Sequence, residues 1–334
     1  MHEKKLTIIV PTYNRSKSLN ALLQLLRDDT LNLINEIAVL VSDNASTDDT
    51  SLIIERLQQN FPNLICHRQT ENIGPDKNFL FCVNKINTRW FWIIGDDDLL
   101  ERGAISKIYN LLIQHEPALL YIKTKSIGSN SEKSSSKDIL DIKFSVLDSR
   151  NFCSEVNVFF TYISGMIIDK TRLNSALNNN SIDRFDGTYL VQLGWTLPLL
   201  TTPGPFILIK SQWIRSQMSD SSGYNTLEVF GVNFPSIANQ CLGVESNLSK
   251  IIINKTKTEY YPSLIYQNRR SNNIKKIYDD LTWLKMKSVI GYGWQYWFLL
   301  APLHKAPLPV SNIIFFVYKV FFYLYRAARK TLQN

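Results

Sequence analysis

Three consecutive carboxylates, Asp96, Asp97 and Asp98, stand directly after the aromatic and aliphatic run Trp90-Phe91-Trp92-Ile93-Ile94. Adjacent acids repel one another, and a cation is the group that best holds their charged form. Oxygen ligands favour Mg²⁺ or Mn²⁺, and such an ion commonly holds a substrate diphosphate as well. A competing reading makes one acid the cap of a helix starting near Glu101. Capping uses only one of the three.

Three other polar motifs share the position of the triplet. Pro11-Thr12-Tyr13-Asn14-Arg15 follows the apolar run Leu6–Val10, and Asp43-Asn44-Ala45-Ser46 follows Ile37–Val41. Asn72-Ile73-Gly74-Pro75-Asp76-Lys77-Asn78 follows the run 63–67. Asp43 can accept a hydrogen bond from a pyrimidine N–H, and residues 11–13 can offer backbone groups and a ring to a base. Lys77 suits a diphosphate as a point charge. Each has a plainer reading too: Asp43-Asn44 as a turn pair before a capped helix, and Lys77 as a solvated helix-face lysine.

The elements that must position these motifs alternate along the first 120 residues. Strands are expected at 6–10, 37–41, 63–67 and 90–94. Helices are expected at 16–27, from Ser46 to about 59, at 75–86 and at 101–115. Leu19, Leu22, Leu23 and Leu26 give the first helix its apolar face. Apolar strand runs alternating with helices imply a parallel sheet covered on both faces. In such a sheet ligands bind in the crevice at the carboxyl ends of the strands, which is where all four motifs fall. Further along, a strand is expected at 162–168 and a helix at 187–200. Residues 126–136 hold six serines in eleven positions and read as a loop or linker.

Composition limits the remaining classes. The chain has 334 residues, 45% hydrophobic, too apolar for a disordered segment and long enough for two domains. Its four cysteines lie far apart, with no CxxC pair, so neither a zinc site nor a disulfide framework is indicated. A reducing compartment is expected. The N-terminus runs straight into a strand and reads as lacking a signal peptide. The formal net charge is +8, unevenly placed. Residues 1–120 carry 12 Lys/Arg and 15 Asp/Glu, whereas residues 264–334 carry 11 and 2. The acidic sheet half carries no nucleic-acid-binding motif, and no GxGxxG or P-loop follows the first strand, which disfavours nucleic-acid binding and dinucleotide chemistry.

The segments IIVPTYNRSKSL, VSDNASTDDT, ENIGPDKNF and WFWIIGDDDLL, in this order, resemble the family 2 glycosyltransferases with the GT-A fold. The resemblance is close over residues 5–120 and looser over 121–200. The NAST and NIGPDKNF wording is most similar to bacterial O-antigen sugar transferases of the abequosyltransferase type. The resemblance implies a Rossmann-like, mostly parallel sheet flanked by helices, with a helical, basic, aromatic-rich C-terminal extension. It divides the chain into a nucleotide-sugar-binding half (1–123), a Ser-rich loop (124–137), an acceptor-binding half (138–260) and a membrane-associating region (261–334).

The resemblance also implies roles. Pro11, Thr12, Tyr13, Asn14, Asp43, Asn72, Gly74, Lys77 and Asp96 would bind the nucleotide sugar. Among them, Thr12, Tyr13 and Asp43 would meet the base, and Asn72, Lys77 and Asp96 the ribose or diphosphate. Asp97 and Asp98 would hold Mn²⁺ or Mg²⁺. The family pattern is Asp-x-Asp-Asp, and Gly95 takes the first place here. In the implied reaction negative charge builds on the departing diphosphate while a carboxylate base deprotonates the acceptor hydroxyl. The base is expected after the 162–168 strand, at Asp183 or Asp186, with Asp220 a third option. The donor would be a nucleotide sugar of the CDP-dideoxyhexose kind, such as CDP-abequose, and the acceptor a glycan on an undecaprenyl-diphosphate type carrier.

At the far end, residues 313–325 (IIFFVYKVFFYLY) form the most apolar run, too short for the ~20 residues of a membrane span. Asn312, Lys319, Arg326 and Lys330 form a polar stripe on a helix. This suits a helix lying in an anionic membrane interface, with Trp294, Tyr296 and Trp297 as added interfacial aromatics. A core helix is the competing reading. The expected location is peripheral, on the cytoplasmic face of a bacterial membrane.

Overall fold

Strands β1 (Leu6–Thr12) and β2 (Ile37–Asp43) are buried almost end to end, as strands covered on both faces must be. In the computed structural model, residues 4–126, 142–178, 180–216, 223–270 and 280–331 are described. Most of the Ser-rich stretch, and Asp220, lie outside them. The remaining strands are β3 (Leu64–Arg68), β4 (Trp90–Ile93), β5 (Leu99–Leu100), β6 (Leu119–Ser126), β7 (Phe144–Leu147), β8 (Met166–Asp169) and β9 (Phe206–Ser216). Their order in one sheet is β3-β2-β1-β4-β8-β6-β9-β5, with β7 paired to β9.

The first four strands are parallel. Leu6 pairs with Ile37 and with Trp90, Thr12 pairs with Asp43, and Asp43 with Arg68. This register brings the ends of all four strands to one edge. The far half of the sheet is mixed, because β8 runs antiparallel to both β4 and β6. The fold is thus of the GT-A kind, a mixed sheet flanked by helices.

Helix α1 (Ser16–Thr30) buries Leu19, Leu22, Leu23 and Leu26, the stripe its spacing predicts. Helix α3 (Pro75–Lys85) opens with proline after Gly74, whose φ of 84° suits glycine. The strand expected at 162–168 is shortened to Met166–Asp169, after a 3₁₀ turn at Ile163–Gly165. Three helix boundaries move for local reasons. Helix α2 (Thr50–Gln58) starts four residues after Ser46, because the Ser46 hydroxyl accepts instead from the backbone N–H of Asn14, at 2.8 Å. Helix α4 (Ala104–His115) starts after Glu101, because Leu99 and Leu100 pair with β9 and Gly103 turns left-handed. The helix expected at 187–200 is reduced to Leu193–Thr196 and a 3₁₀ turn at Pro198–Thr201; positive φ at Gly187 and Tyr189 breaks its first turn.

The chain forms two compact units, Met1–Ser219 and Asp220–Asn334. The core of the second unit includes Tyr261, Ile265, Trp283, Met286, Tyr296 and Leu300. Tyr296 is therefore a core residue rather than an interfacial aromatic, while Trp294 and Trp297 are exposed. The apolar run 313–325 belongs to a longer helix, Leu308–Thr331. Contrary to the expectation of too short a run, its stretch Leu308–Tyr325 is long and apolar enough to cross a membrane by length and composition, with a mean hydropathy of 1.5. One side of that helix is engaged within its own unit. Ser311 is buried, Phe315 stacks on Tyr266 at 3.9 Å, and Tyr318 donates to the Thr258 carbonyl. Ile313, Phe316, Val317, Val320, Phe321 and Leu324 are exposed.

Candidate active site

The loops at the carboxyl ends of β1 to β4 are tied to one another by backbone and side-chain hydrogen bonds. Asn44 N donates to the Thr12 carbonyl at 2.9 Å, and Asn14 Oδ1 accepts from Thr47 N at 2.7 Å. Asn44 Nδ2 donates to Asn72 Oδ1 at 2.9 Å, while Asn44 Oδ1 accepts from Ile73 N. Ser42 donates to Asn78 Oδ1 at 2.7 Å, joining β2 to the first turn of α3. Buried Thr12 donates to Asp96 Oδ2 at 2.6 Å, which joins the first loop to the carboxylate triplet. The four motifs therefore share one crevice, and part of their polar content is spent on holding its walls. Thr12 and Asn72 engage neighbouring loops. Tyr13, 42% exposed, presents a free ring face to solvent.

Asp43 is 1% exposed. Its Oδ1 accepts from Ser46 N at 2.9 Å, whereas buried Oδ2 has no hydrogen-bond donor. The Arg68 Nε stands 3.6 Å from it. A buried carboxylate oxygen lacking a donor is costly, and a ligand N–H removes that cost. Lys77 is exposed on the first turn of α3, and Gly74 precedes it.

The triplet divides its three acids among different partners. Asp96 is buried, and burial pushes its pKa up to about 6, against the opposing pull of Thr12 and Arg15. Asp97 accepts from Arg15 Nη1, which also lies 3.3 Å from Asp96 Oδ1. Asp98 is buried, accepts from Tyr162 Oη at 3.0 Å, and is likewise raised by burial, with Ser164 and Tyr162 opposing. Ser164 fixes the turn by accepting from Gly95 N at 2.9 Å. Arg15, Tyr162 and Ser164 are absent from the sequence-derived set. Arg15 falls inside the first quoted motif without a role there, and Tyr162 and Ser164 read as part of a strand.

Among the described residues, no three metal-binding groups are already gathered around one point. The donor chemistry nevertheless fits a hard cation. A Cβ added at Gly95 would lie 3.1 Å from Asp98 Oδ2 and 3.3 Å from Asp97 Oδ1, so two carboxylate oxygens converge over the bare glycine. Two carboxylates plus phosphate oxygens make a common Mg²⁺ or Mn²⁺ set. The same geometry gives a physical reason for glycine at the first place of the Asp-x-Asp-Asp pattern: a side chain there would crowd the two acids. Gly95→Ala is expected to weaken Mn²⁺ binding about tenfold, read by an electron paramagnetic resonance titration, with little change in melting temperature.

Asp183 and Asp186 lie together on an exposed turn, with Asp186 N donating to the Asp183 carbonyl at 2.8 Å. Ser181 donates to Asp183. This turn is fastened to the third loop by Asp76, whose Oδ2 accepts from Gly187 N and Tyr189 N, both at 3.0 Å. Burial raises the pKa of Asp76, and the Asp186 charge adds to the rise. Asp76 was not singled out in the sequence, where an acid in a helix's first turn has a sufficient local reason.

The sequence profile of Glycosyl transferase family 2 matches residues 7–173. The chain is 31% identical over 199 residues to the abequosyltransferase RfbV of Salmonella typhimurium, covering 55% of this chain and 56% of that protein. It is 26% identical over 190 residues to the GalNAc(5)-diNAcBac-PP-undecaprenol beta-1,3-glucosyltransferase of Campylobacter jejuni, covering 53% and 57%. The chain thus spans little more than half the length of these relatives. The crystal structure of Staphylococcus aureus TarS 1-349 with UDP-GlcNAc superimposes with a TM-score of 0.60 at 18% identity, covering 84% of this chain and 79% of that one.

Proposed function

The chain belongs to glycosyl transferase family 2 and is a glycosyltransferase; from that premise we propose that it transfers a sugar from a pyrimidine nucleotide-diphosphate donor to a glycan on a lipid carrier, in surface polysaccharide synthesis. The observation that carries the donor reading is Asp43, a buried carboxylate with one oxygen lacking a donor, among four loops locked into one crevice. In this reading that oxygen accepts a pyrimidine N–H, and exposed Tyr13 offers its ring to the base. A CDP-linked dideoxyhexose is the proposed donor, supported by likeness to a relative named an abequosyltransferase. A glycan linked to undecaprenyl diphosphate is the proposed acceptor type, supported by the second relative's name.

In the proposed site Asp97 and Asp98 hold Mn²⁺ or Mg²⁺, with Asp96 beside the ribose. Such an ion supplies charge stabilisation to a departing diphosphate. Lys77 adds a positive charge at the first turn of α3. Asp186 or Asp183 takes the proton of the attacking hydroxyl, and Asp76 holds their turn against the third loop.

The test is a thermal-shift screen of nucleotide sugars with and without Mn²⁺. The expected result is stabilisation by one pyrimidine nucleotide sugar, larger with Mn²⁺, and lost in Asp43→Ala. A panel with no stabilising nucleotide sugar, or a shift unchanged in Asp43→Ala, refutes the donor reading.

The second unit supports a location on the membrane surface. A helix that spanned the bilayer would have to leave its own unit, yet Ser311, Phe315 and Tyr318 hold it there. Its other side exposes a broad apolar face, and residues 264–334 carry 11 basic against 2 acidic groups. Such a pairing of apolar face and positive charge suits a helix lying in an anionic interface. A peripheral position would also bring the enzyme to an acceptor on a lipid carrier.

A further inference from the structure

Arg15 is a cationic side chain paired with the carboxylate triplet. It stands immediately before α1, on a turn whose backbone is held by Asn14: Asn14 N donates to Ser46 Oγ, and Asn14 Oδ1 accepts from Thr47 N. The backbone is fixed, while the side chain is 43% exposed and reaches out to the triplet. Its Nη1 donates to both Asp96 and Asp97. Neutral donors are also present, Thr12 on Asp96 and Tyr162 on Asp98. Asp97 has Arg15. A second cation on Asp97 must therefore compete with a positive charge already there.

We propose that Arg15 is the internal counter-cation of the triplet, displaced jointly by metal ion and diphosphate, and that its guanidinium then moves from Asp96 and Asp97 onto the diphosphate. The proposal rests on the reading of Asp97 and Asp98 as metal ligands. Three neighbouring acids repel one another, and Arg15 offsets part of that repulsion. A divalent ion alone meets a neutralised Asp97 and binds weakly. A diphosphate offers the planar guanidinium two new acceptors, which frees Asp97 for the metal. Arg15 thus couples the two ligands: each binds better when the other is present, by equal factors.

The experiment titrates Mn²⁺ by electron paramagnetic resonance into the wild type, Arg15→Ala, Arg15→Lys and Asp97→Asn, with and without CDP or UDP. Circular dichroism melts establish that each variant is folded. Without nucleotide, Arg15→Ala is expected to bind Mn²⁺ about tenfold more tightly than the wild type, and Arg15→Lys to lie between them. The gain in Mn²⁺ affinity on adding nucleotide is expected to be about tenfold smaller in Arg15→Ala than in the wild type. If Arg15→Ala binds Mn²⁺ no more tightly while Asp97→Asn loses binding, the counter-cation role fails and the metal site stands. If Arg15→Ala binds Mn²⁺ more tightly but the nucleotide gain is unchanged, transfer of Arg15 to the diphosphate fails. If no protein binds Mn²⁺ under any condition, the metal reading fails and the proposal with it.

Discussion

Asp97→Asn should lower sugar transfer by about 10³-fold while leaving the melting temperature within a few degrees of the wild type. Asparagine keeps the size of the side chain and one oxygen, but it removes the charge that, in the proposed site, would hold a divalent ion. Loss of a metal's charge stabilisation is worth several kcal/mol, and about 4 kcal/mol corresponds to 10³-fold in rate. The fold should survive because the Asp97 side chain is 28% exposed and its ion pair is with the half-exposed Arg15. Exposed pairs contribute only ~0–1 kcal/mol. Asp98→Asn would be a poorer test. Asp98 is buried against Tyr162 and Ser164, so that change disturbs packing as well as charge. Turnover of Asp97→Asn within tenfold of wild type, in a folded protein with Mn²⁺ present, would remove Asp97 from the metal site.

The crevice was legible in the sequence because two separate signals agreed. Apolar runs such as Leu6–Val10 and Ile37–Val41 read as strands covered on both faces, and parallel strands must end together. The polar residues after each run could then be assigned to one edge without any contact information. What escaped the sequence depends on pairing at a distance. Strand β9 mixes Phe206–Ile209 with Lys210, Ser211 and Gln212, so neither apolar run nor alternation marks its full length. Two-residue β5 exists only because β9 lies beside it. Arg15 and Asp76 both fall inside quoted motifs, yet nothing local to either motif gives them a role in the site. Their second partners lie 82 and 111 or more residues away, in Asp97 and in the 187–189 turn. Gly95 is the instructive intermediate case. It was legible as a departure from a pattern, but its reason, the convergence of two carboxylates over the bare Cα, is a property of the folded turn.

Phe316→Glu combined with Phe321→Glu should move the enzyme from the membrane fraction to the soluble fraction and weaken binding to anionic phosphatidylglycerol vesicles by about 100-fold. Each phenylalanine is 69% exposed, so neither substitution removes core packing. Burying a side chain of this size is worth ~1.5–3 kcal/mol, and two lost together suffice for the stated factor before charge repulsion is added. Deleting residues 308–334 would be less informative, because it would also strip Ser311 and Tyr318 from the second unit and uncover its core. Charge predicts a second property. With 11 basic and 2 acidic groups in residues 264–334, wild-type binding should fall as salt rises and should be weak on neutral phosphatidylcholine vesicles. A carbonate wash separates the peripheral reading from a span: a helix held on its own unit by Phe315 and Tyr318 is released, whereas a spanning helix stays. Retention of the double variant in the membrane fraction, or of the wild type after the wash, would contradict the interfacial placement of the helix.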